Sequence, residues 1–567
     1  MIEAAPGVPG PGTRSKARLN CIDTVGIKVA EKDMKKIACS LAAWLLISAG
    51  AHSQPGPVLG ETVQTENGTL RGAPRDPQGI LVFKGVPFAA APVGDLRWQA
   101  PQPAKGWQGT RDAASDGNRC WSNVRVPALA GRSGGVPQSE DCLYLNVWTG
   151  AKASNERRPV MVWIHGGGFQ FGAAGDSSTD GALLAQKGVV LVSINYRLGA
   201  FGFFAHPLLR SEGRLSGNFG MQDQVAALKW VRANISSFGG DPRNVTIFGE
   251  SAGSQAVSLL MGSPMAKGLF HRAIGQSGSS LQQLPSLAEI GLRGAAFASA
   301  LGASSVAKSI EELRAMPAER INAAATWDFP GGAVMVFAPG IDGHVFPAGM
   351  EETFRKGRQN DVPLLAGYNK REGFPFLPET LPHGTAAEFL AAAELVFGPE
   401  KMQEFLALYP TDSTAALNAS AEELHADIRQ KAETWAWLTR QAQTGKSAVY
   451  GYHFAYESPY SPVASHVADV AFVFGTLAPQ FFAPKAPPAG LADRKLSNDL
   501  MNYWVNFAAK GDPNGPGLPP WPEFRANASL LQIHEDGRIS AGAPSERQIA
   551  RFRFLDGFLT SASTGRR

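Results

Sequence analysis

From residue 143 onward, short apolar runs alternate with longer stretches of helical spacing. Leu143–Trp148, Val160–Ile164, Val189–Asn195 and Val245–Phe248 are β-branched and aromatic, too short for buried helices, and read as strands buried on both faces. Val362–Gly367 and Ala448–Ala455 add two later strands, while Gln222–Ile235 and Ala421–Gln443 carry helical spacing. Such alternation predicts an α/β fold around a mostly parallel sheet. Upstream, Thr62–Gly72 alternates about Asn67-Gly68, a two-residue hairpin turn, and Ile80–Phe83 begins another strand. These segments predict a small antiparallel sheet ahead of the main one. Pro87–Pro103 is extended, and the Gly-, Ser-, Pro- and Arg-rich stretch between Cys120 and Cys142 reads as a surface loop. No repeat or long linker divides the rest, so residues 54–567 are expected to be one large domain.

Composition narrows the class. The chain is 44% hydrophobic and 18% charged, as globular proteins are. Seven Lys/Arg against four Asp/Glu fall in residues 1–53, leaving 46 against 45 in the remainder, so the net charge of +4 is no argument for a nucleic-acid partner. Met34-Lys35-Lys36, the apolar Ile37–Ile47 and the small residues Ala49-Gly50-Ala51 or Ala51-His52-Ser53 have the three regions of a secretory signal peptide, and the apolar run is short for a membrane span. Residues 1–53 are therefore expected to be a leader with Met34 as its true start, and the mature protein periplasmic or extracellular, without a stable membrane anchor. Cys21 and Cys39 fall in that leader, leaving Cys120 and Cys142 as a pair that an oxidising compartment would bridge. The alternative is two buried thiols.

Candidate chemistry collects at Gly249-Glu250-Ser251-Ala252-Gly253, between the strand ending at Phe248 and the helix-compatible Ser254–Met261. Strand, sharp turn and helix are the context in which glycines two before and two after a serine raise its hydroxyl onto the tip of a strained turn. A second cluster, His165-Gly166-Gly167-Gly168-Phe169, follows the strand Val160–Ile164. Consecutive glycines let backbone N–H groups converge on an oxyanion; a phosphate cradle would call for a Gly-Lys-Ser/Thr that is missing. Donors would be the amides of Gly167, Gly168 and Ala252. Ser251 also needs a base and an orienting acid. Of the seven histidines after it, His466 lies in the loop following strand Ala448–Ala455, whereas His453 lies within that strand and His425 within a helix. Glu372 lies in the loop fed by Val362–Gly367, which gives the chain order Ser, Glu, His. Glu250, the residue before Ser251, is a candidate for tuning water or charge beside His466, with a merely structural role as the alternative. The H-E-x-x-H pattern is missing, and no metal or cofactor is expected.

Glu140-Asp141-Cys142-Leu143-Tyr144-Leu145-Asn146-Val147-Trp148, the Gly-rich segment, Asn195-Tyr196-Arg197-Leu198-Gly199, Phe238-Gly239-Gly240-Asp241-Pro242 and the serine pentapeptide, in this order, resemble the type-B carboxylesterase family, relatives of the cholinesterases. The resemblance implies an α/β-hydrolase fold, with helical insertions forming a gorge or cap, and a carboxylic ester hydrolase acting through an acyl-enzyme. It matches Asn369-Lys370-Arg371-Glu372-Gly373 to the family's acid segment and His466, six residues before Phe472-Val473-Phe474-Gly475, to its histidine. It also implies that Ser277 hydrogen-bonds near the triad, that Cys120 and Cys142 close the family's first disulfide loop, and that Arg97 and Glu140 form a buried ion pair. Departures bear on substrate. The loop has only Trp121, beside its cysteine, and carries Arg125 and Arg132, which disfavours a cationic ester. Phe329, Phe337, Phe374 and Phe376 suggest bulky apolar or aromatic ester groups, with plain core packing as the alternative. A catalytically silent adhesion protein, an amidase and an acyltransferase are the other functions this scaffold supports. Oligomeric state is left open.

Overall fold

The computed structural model describes residues 58–122, 135–211, 217–281, 284–302, 310–325, 337–372, 385–480 and 483–562. The leader and signal-peptide assignments in residues 1–53, Arg125, Arg132, Phe329, Gly373, Phe374 and Phe376 lie outside them. In chain order the strands are β1 Thr62–Thr65, β2 Gly68–Gly72, β3 Leu81–Pro87, β4 Thr110–Ala113, β5 Arg119–Cys120, β6 Gln138–Ser139, β7 Tyr144–Thr149 and β8 Arg158–Ile164. They continue as β9 Val190–Ile194, β10 Gly240–Glu250, β11 Arg272–Gln276, β12 Leu364–Asn369, β13 Val449–Phe454, β14 Leu530–Ile533 and β15 Ile539–Gly542. Ten of them form one sheet in the order β15-β14-β13-β12-β11-β10-β8-β9-β7-β3. The run from β14 to β9 is parallel throughout, and antiparallel pairs occur only toward the edges, at β15–β14, β7–β9 and β3–β7. This is the α/β-hydrolase architecture.

The apolar runs form strands because both their faces are buried under helices. Along β8, Val160, Val162 and Ile164 enter one core layer and Met161 and Trp163 the other. The same alternation divides Val190, Val192 and Ile194 from Leu191 in β9. Each such side chain contributes about 1.5–3 kcal/mol by leaving water, and a slip of one residue would exchange the two layers throughout the strand.

The small N-terminal sheet differs from expectation. The hairpin β1–β2 forms about Asn67-Gly68, but its third strand is β4, which runs parallel to β2, and Ile80–Phe83 becomes β3 at the edge of the large sheet. Hairpin pairing is local and set by its turn; the partner on β2's other edge is a matter of tertiary packing. Cys120 and Cys142 are disulfide-bonded. Among the described residues no helix is long and apolar enough to cross a membrane.

The parallel strands all point their C-terminal ends to one side. Gly249 is in register with Ile164, Glu250 with Gln276, Gln276 with Gly367 and Asn369 with Phe454, so the loops leaving β8, β10, β11, β12 and β13 emerge together. Sites in open α/β sheets form along such an edge.

Candidate active site

Ser251 sits between β10 and the helix Ala252–Gly262 with φ 55° and ψ −123°. A non-glycine residue there is strained and is held only by its surroundings. Its N–H donates to the Gln276 carbonyl at 2.9 Å, fixing the turn to β11. The flanking glycines are sterically required. A Cβ on Gly253 would lie 2.0 Å from the Ile164 carbonyl oxygen, and one on Gly249 would lie 2.5 Å from the Gly253 carbonyl carbon.

The Gly-rich segment seats directly against this turn: a Cβ on Gly166 would lie 2.7 Å from the Glu250 carbonyl oxygen and 3.1 Å from Ser251 Cβ. Gly167 and Gly168 have φ values of 104° and 60°, and Gln170 and Phe171 donate their amides back to the Gly167 carbonyl at 2.9 and 3.1 Å. Tyr196 braces the loop, its hydroxyl donating to the His165 carbonyl at 2.9 Å and its ring stacked on His165 with centroids 4.5 Å apart. Among the described residues the amides of Gly167, Gly168 and Ala252 donate to no acceptor.

Glu372 and His466 meet through the backbone. An isolated parallel bridge pairs Arg371 with Ser465, so the next residues, Glu372 and His466, lie side by side. Glu372 Oε2 is 2.7 Å from His466 Nδ1, and Glu372 Oε1 accepts the Asn369 amide at 2.5 Å. Glu372 is completely buried and His466 is 1% exposed. On the other side of the ring, Nε2 lies 3.1 Å from Oε1 of Glu250, the residue immediately before Ser251. Burial pulls the imidazole's pKa down, but the carboxylates of Glu250, Glu372 and Asp469 outweigh it and push the value up to about 9.

A third carboxylate, which the sequence did not bring forward, stands behind this pair. Asp469 is fully buried and accepts from Tyr452 Oη at 2.7 Å, Gln276 Nε2 at 2.8 Å and Asn369 Nδ2 at 3.2 Å. Asn369 Nδ2 also donates to the Ser465 carbonyl at 2.8 Å. The ends of β11, β12 and β13 are thereby tied to the His466 loop. Burial raises the Asp469 pKa, and these hydrogen bonds oppose it. Its one signal in the sequence is a lone carboxylate inside the apolar run Val467–Phe472.

Ser277 is brought to the site with φ 57°, its amide donating to the Gly367 carbonyl at 2.8 Å, but its Oγ has no hydrogen-bond partner among the described residues. Phe337 is 3% exposed and packs edge-on against Phe297, ring centroids 4.8 Å apart, which is the core-packing alternative. Arg97 and Glu140 pair in two-pronged fashion at 2.7 and 2.5 Å.

The family model described as Carboxylesterase family matches residues 60–551. The chain is 36% identical over 473 residues to fumonisin B1 esterase of Sphingopyxis macrogoltabida, covering 82% of this chain and 85% of that protein. It is 34% identical over 513 residues to para-nitrobenzyl esterase of Bacillus subtilis (strain 168), covering 87% and 98%. A solved structure titled PNB esterase superposes with a TM-score of 0.74 at 31% identity, covering 87% of this chain and 99% of that one.

Proposed function

The chain belongs to the carboxylesterase family and is a carboxylic ester hydrolase; from that premise we propose that Ser251, His466 and Glu372 carry the reaction as nucleophile, general base and orienting acid. The observation that carries this reading is the buried Glu372–His466 pair at 2.7 Å, whose other ring nitrogen is directed to the serine turn beside Glu250. Ser251 Oγ attacks the ester carbonyl carbon and its proton passes to His466 Nε2. The amides of Gly167, Gly168 and Ala252 receive the oxyanion, each such donor typically being worth about 3 kcal/mol in the transition state. Collapse breaks the bond to the alcohol oxygen, which takes the proton from His466, and the acyl group stays on Ser251. Water then attacks the acyl-enzyme by the same route and releases the acid. Glu372 holds the imidazole tautomer and balances the imidazolium.

Esters with bulky apolar or aromatic groups are the proposed substrates. Two relatives are named for para-nitrobenzyl esters and for fumonisin B1, which supports a roomy site. The protein is also proposed to be exported to the periplasm or beyond, with residues 1–53 as leader and the rest as one domain; the signal-like pattern at Met34–Ser53 and the Cys120–Cys142 disulfide support this.

A fluorophosphonate probe is expected to label the protein once, at Ser251, with loss of para-nitrobenzyl acetate hydrolysis. Ser251→Ala is expected to lose labelling and at least about 10⁴-fold in kcat. Hydrolysis surviving in Ser251→Ala would overturn the assignment.

A further inference from the structure

The helix Thr414–Ala426 passes into the helix Ala432–Thr444 through a π-helical turn, Asp427–Lys431. The turn sits at the catalytic edge of the sheet, where Gln430, with its amide oriented to satisfy its neighbours, donates to the Ser277 carbonyl at 2.9 Å. The second helix then runs back along the sheet. Near its end Gln441 Nε2 donates to the Val362 carbonyl at 3.2 Å, ahead of the first residue of β12. That end of the helix therefore lies the length of β12, about 20 Å, from the catalytic edge. There it meets the short helix Phe524–Asn527 and the C-terminal helix Glu546–Ala562 around a cleft of about 560 Å³, a size typical of small-molecule sites.

One side of the cleft is aromatic. Trp435 packs edge-on against Phe524 with ring centroids 5.1 Å apart and lies against Phe552 at 5.5 Å, and all three rings line the cleft. The charged lining is rich in guanidinium, from Arg440, Arg525 and Arg553. These three are in different states. Arg440 is engaged, its Nη2 donating to both oxygens of Asp556 at 2.9 Å and its Nε to Glu351 Oε1 at 3.1 Å. Arg525 closes the end of the helix by donating to the carbonyls of Ala442, Gly445 and Ser447 at 2.7, 2.8 and 2.8 Å, and it pairs with no carboxylate among the described residues. Arg553 is exposed and has neither an ion pair nor a hydrogen bond among the described residues. Three cations thus stand against two carboxylates, Asp556 and Glu351, which leaves one positive charge beside an apolar surface. A cationic ligand would be repelled there, a small inorganic anion would leave the rings in water, and a neutral apolar body would leave Arg553 unpaired.

We propose that this cleft is a second binding site, separate from the catalytic one, for an amphiphilic monocarboxylate whose apolar body lies on Trp435, Phe524 and Phe552 and whose carboxylate meets Arg553. Arg525 adds the N–H groups that its carbonyl partners leave over. A guanidinium receives the two oxygens of a carboxylate in parallel hydrogen bonds, and the surplus of a single positive charge matches a monoanion. Carboxylic acids are what a carboxylic ester hydrolase releases, so ligands of this class form wherever the protein works. The site is independent of which residues carry the hydrolysis.

The test is a calorimetric titration of the full chain with decanoate, below its micelle concentration, after a small fluorophosphonate has been added until hydrolysis of para-nitrophenyl acetate ceases. The catalytic centre is then occupied, and the blocked protein is expected to bind a single equivalent of decanoate. Arg553→Gln is expected to weaken that binding roughly tenfold, the worth of a hydrogen bond to a charged group. Thr439→Trp, whose ring would fill the cleft, is expected to abolish it. Before blocking, both variants should hydrolyse para-nitrophenyl acetate and melt as the wild type does. 1-Decanol, which has the apolar body without the charge, is expected to bind at least about tenfold more weakly than decanoate. No binding to the blocked protein would overturn the proposal, as would binding that Arg553→Gln leaves unchanged or 1-decanol binding as tight as that of decanoate. Arg553 is exposed, so its variant decides the matter if Thr439→Trp does not fold.

Discussion

His466 faces a carboxylate on each side, and the two act differently. In the proposed mechanism Glu372, on Nδ1, orients the ring and stabilises the charge that forms during acyl transfer. Glu250, 3.1 Å from Nε2, stabilises the imidazolium on the edge that in the same mechanism accepts the serine proton. With the imidazole pushed up to about 9, the resting enzyme near neutrality is mostly in a form that cannot act as base. Activity should therefore rise with pH up to that value, as the apparent constant of a coupled group. Glu250→Gln keeps the shape of the side chain and removes the charge. It is expected to move the acid limb of kcat/KM down by roughly one to two pH units, measured on a neutral ester so that substrate ionisation does not intrude. A coincident profile would reduce Glu250 to a packing role. Little of this is readable from the sequence: its place beside Ser251 nominates Glu250, but only the fold shows which ring nitrogen it meets, and Asp469 looks like one carboxylate in an apolar run.

The serine turn shows why some elements are readable from a sequence and others are not. Its glycines answer to neighbours fixed by the adjacent strand β8, so the requirement appears as a motif: Gly253 has the Ile164 carbonyl against its α-carbon, and Gly249 has Gly253. Gly253→Ala must displace backbone and is expected to cost more than about 2 kcal/mol in stability and most of kcat. Gly291, in the helix Leu287–Ala300, has nothing within 4 Å of a would-be Cβ, so Gly291→Ala is expected to be neutral or to stabilise by up to about 1 kcal/mol. Thermal unfolding of the pair checks the contrast, and equal losses would refute the steric account. The hairpin at Asn67-Gly68 is readable for the same reason, since two residues dictate the pairing. The parallel partner of β2 is not, because β4 lies far along the chain and its pairing depends on packing. Glu372 and His466 are found by their loops, yet the bridge between Arg371 and Ser465 that makes them neighbours has no local signature. The π-helical turn is hidden likewise, inside a stretch whose overall spacing reads as one helix.

For the molecule as a whole, two histidines that do no proposed chemistry govern behaviour in acid. His165 braces the Gly-rich loop and His453 lies within β13, bonded through Nδ1 to Gln532 Oε1 at 3.0 Å. Burial pulls each imidazole from 6.5 down to about 4; the neighbouring Lys431 adds to the effect at His453, and the hydrogen bonds oppose it at both. Between those two pH values the unfolded chain binds protons that the native state refuses, so stability rises with pH across this window and is lost as the pH falls through it. By pH 4 each group is expected to have removed on the order of 3 kcal/mol. His466 has the opposite sign: its stabilising share is complete below pH 6.5 and disappears as the pH rises through about 9. Stability should therefore peak below the pH at which activity peaks. The acid loss belongs to buried imidazoles if His453→Gln flattens the dependence of the unfolding midpoint between pH 6.5 and pH 4. An unaltered slope in that variant would shift the cause to carboxylates, whose own protonation begins near the lower end of the window.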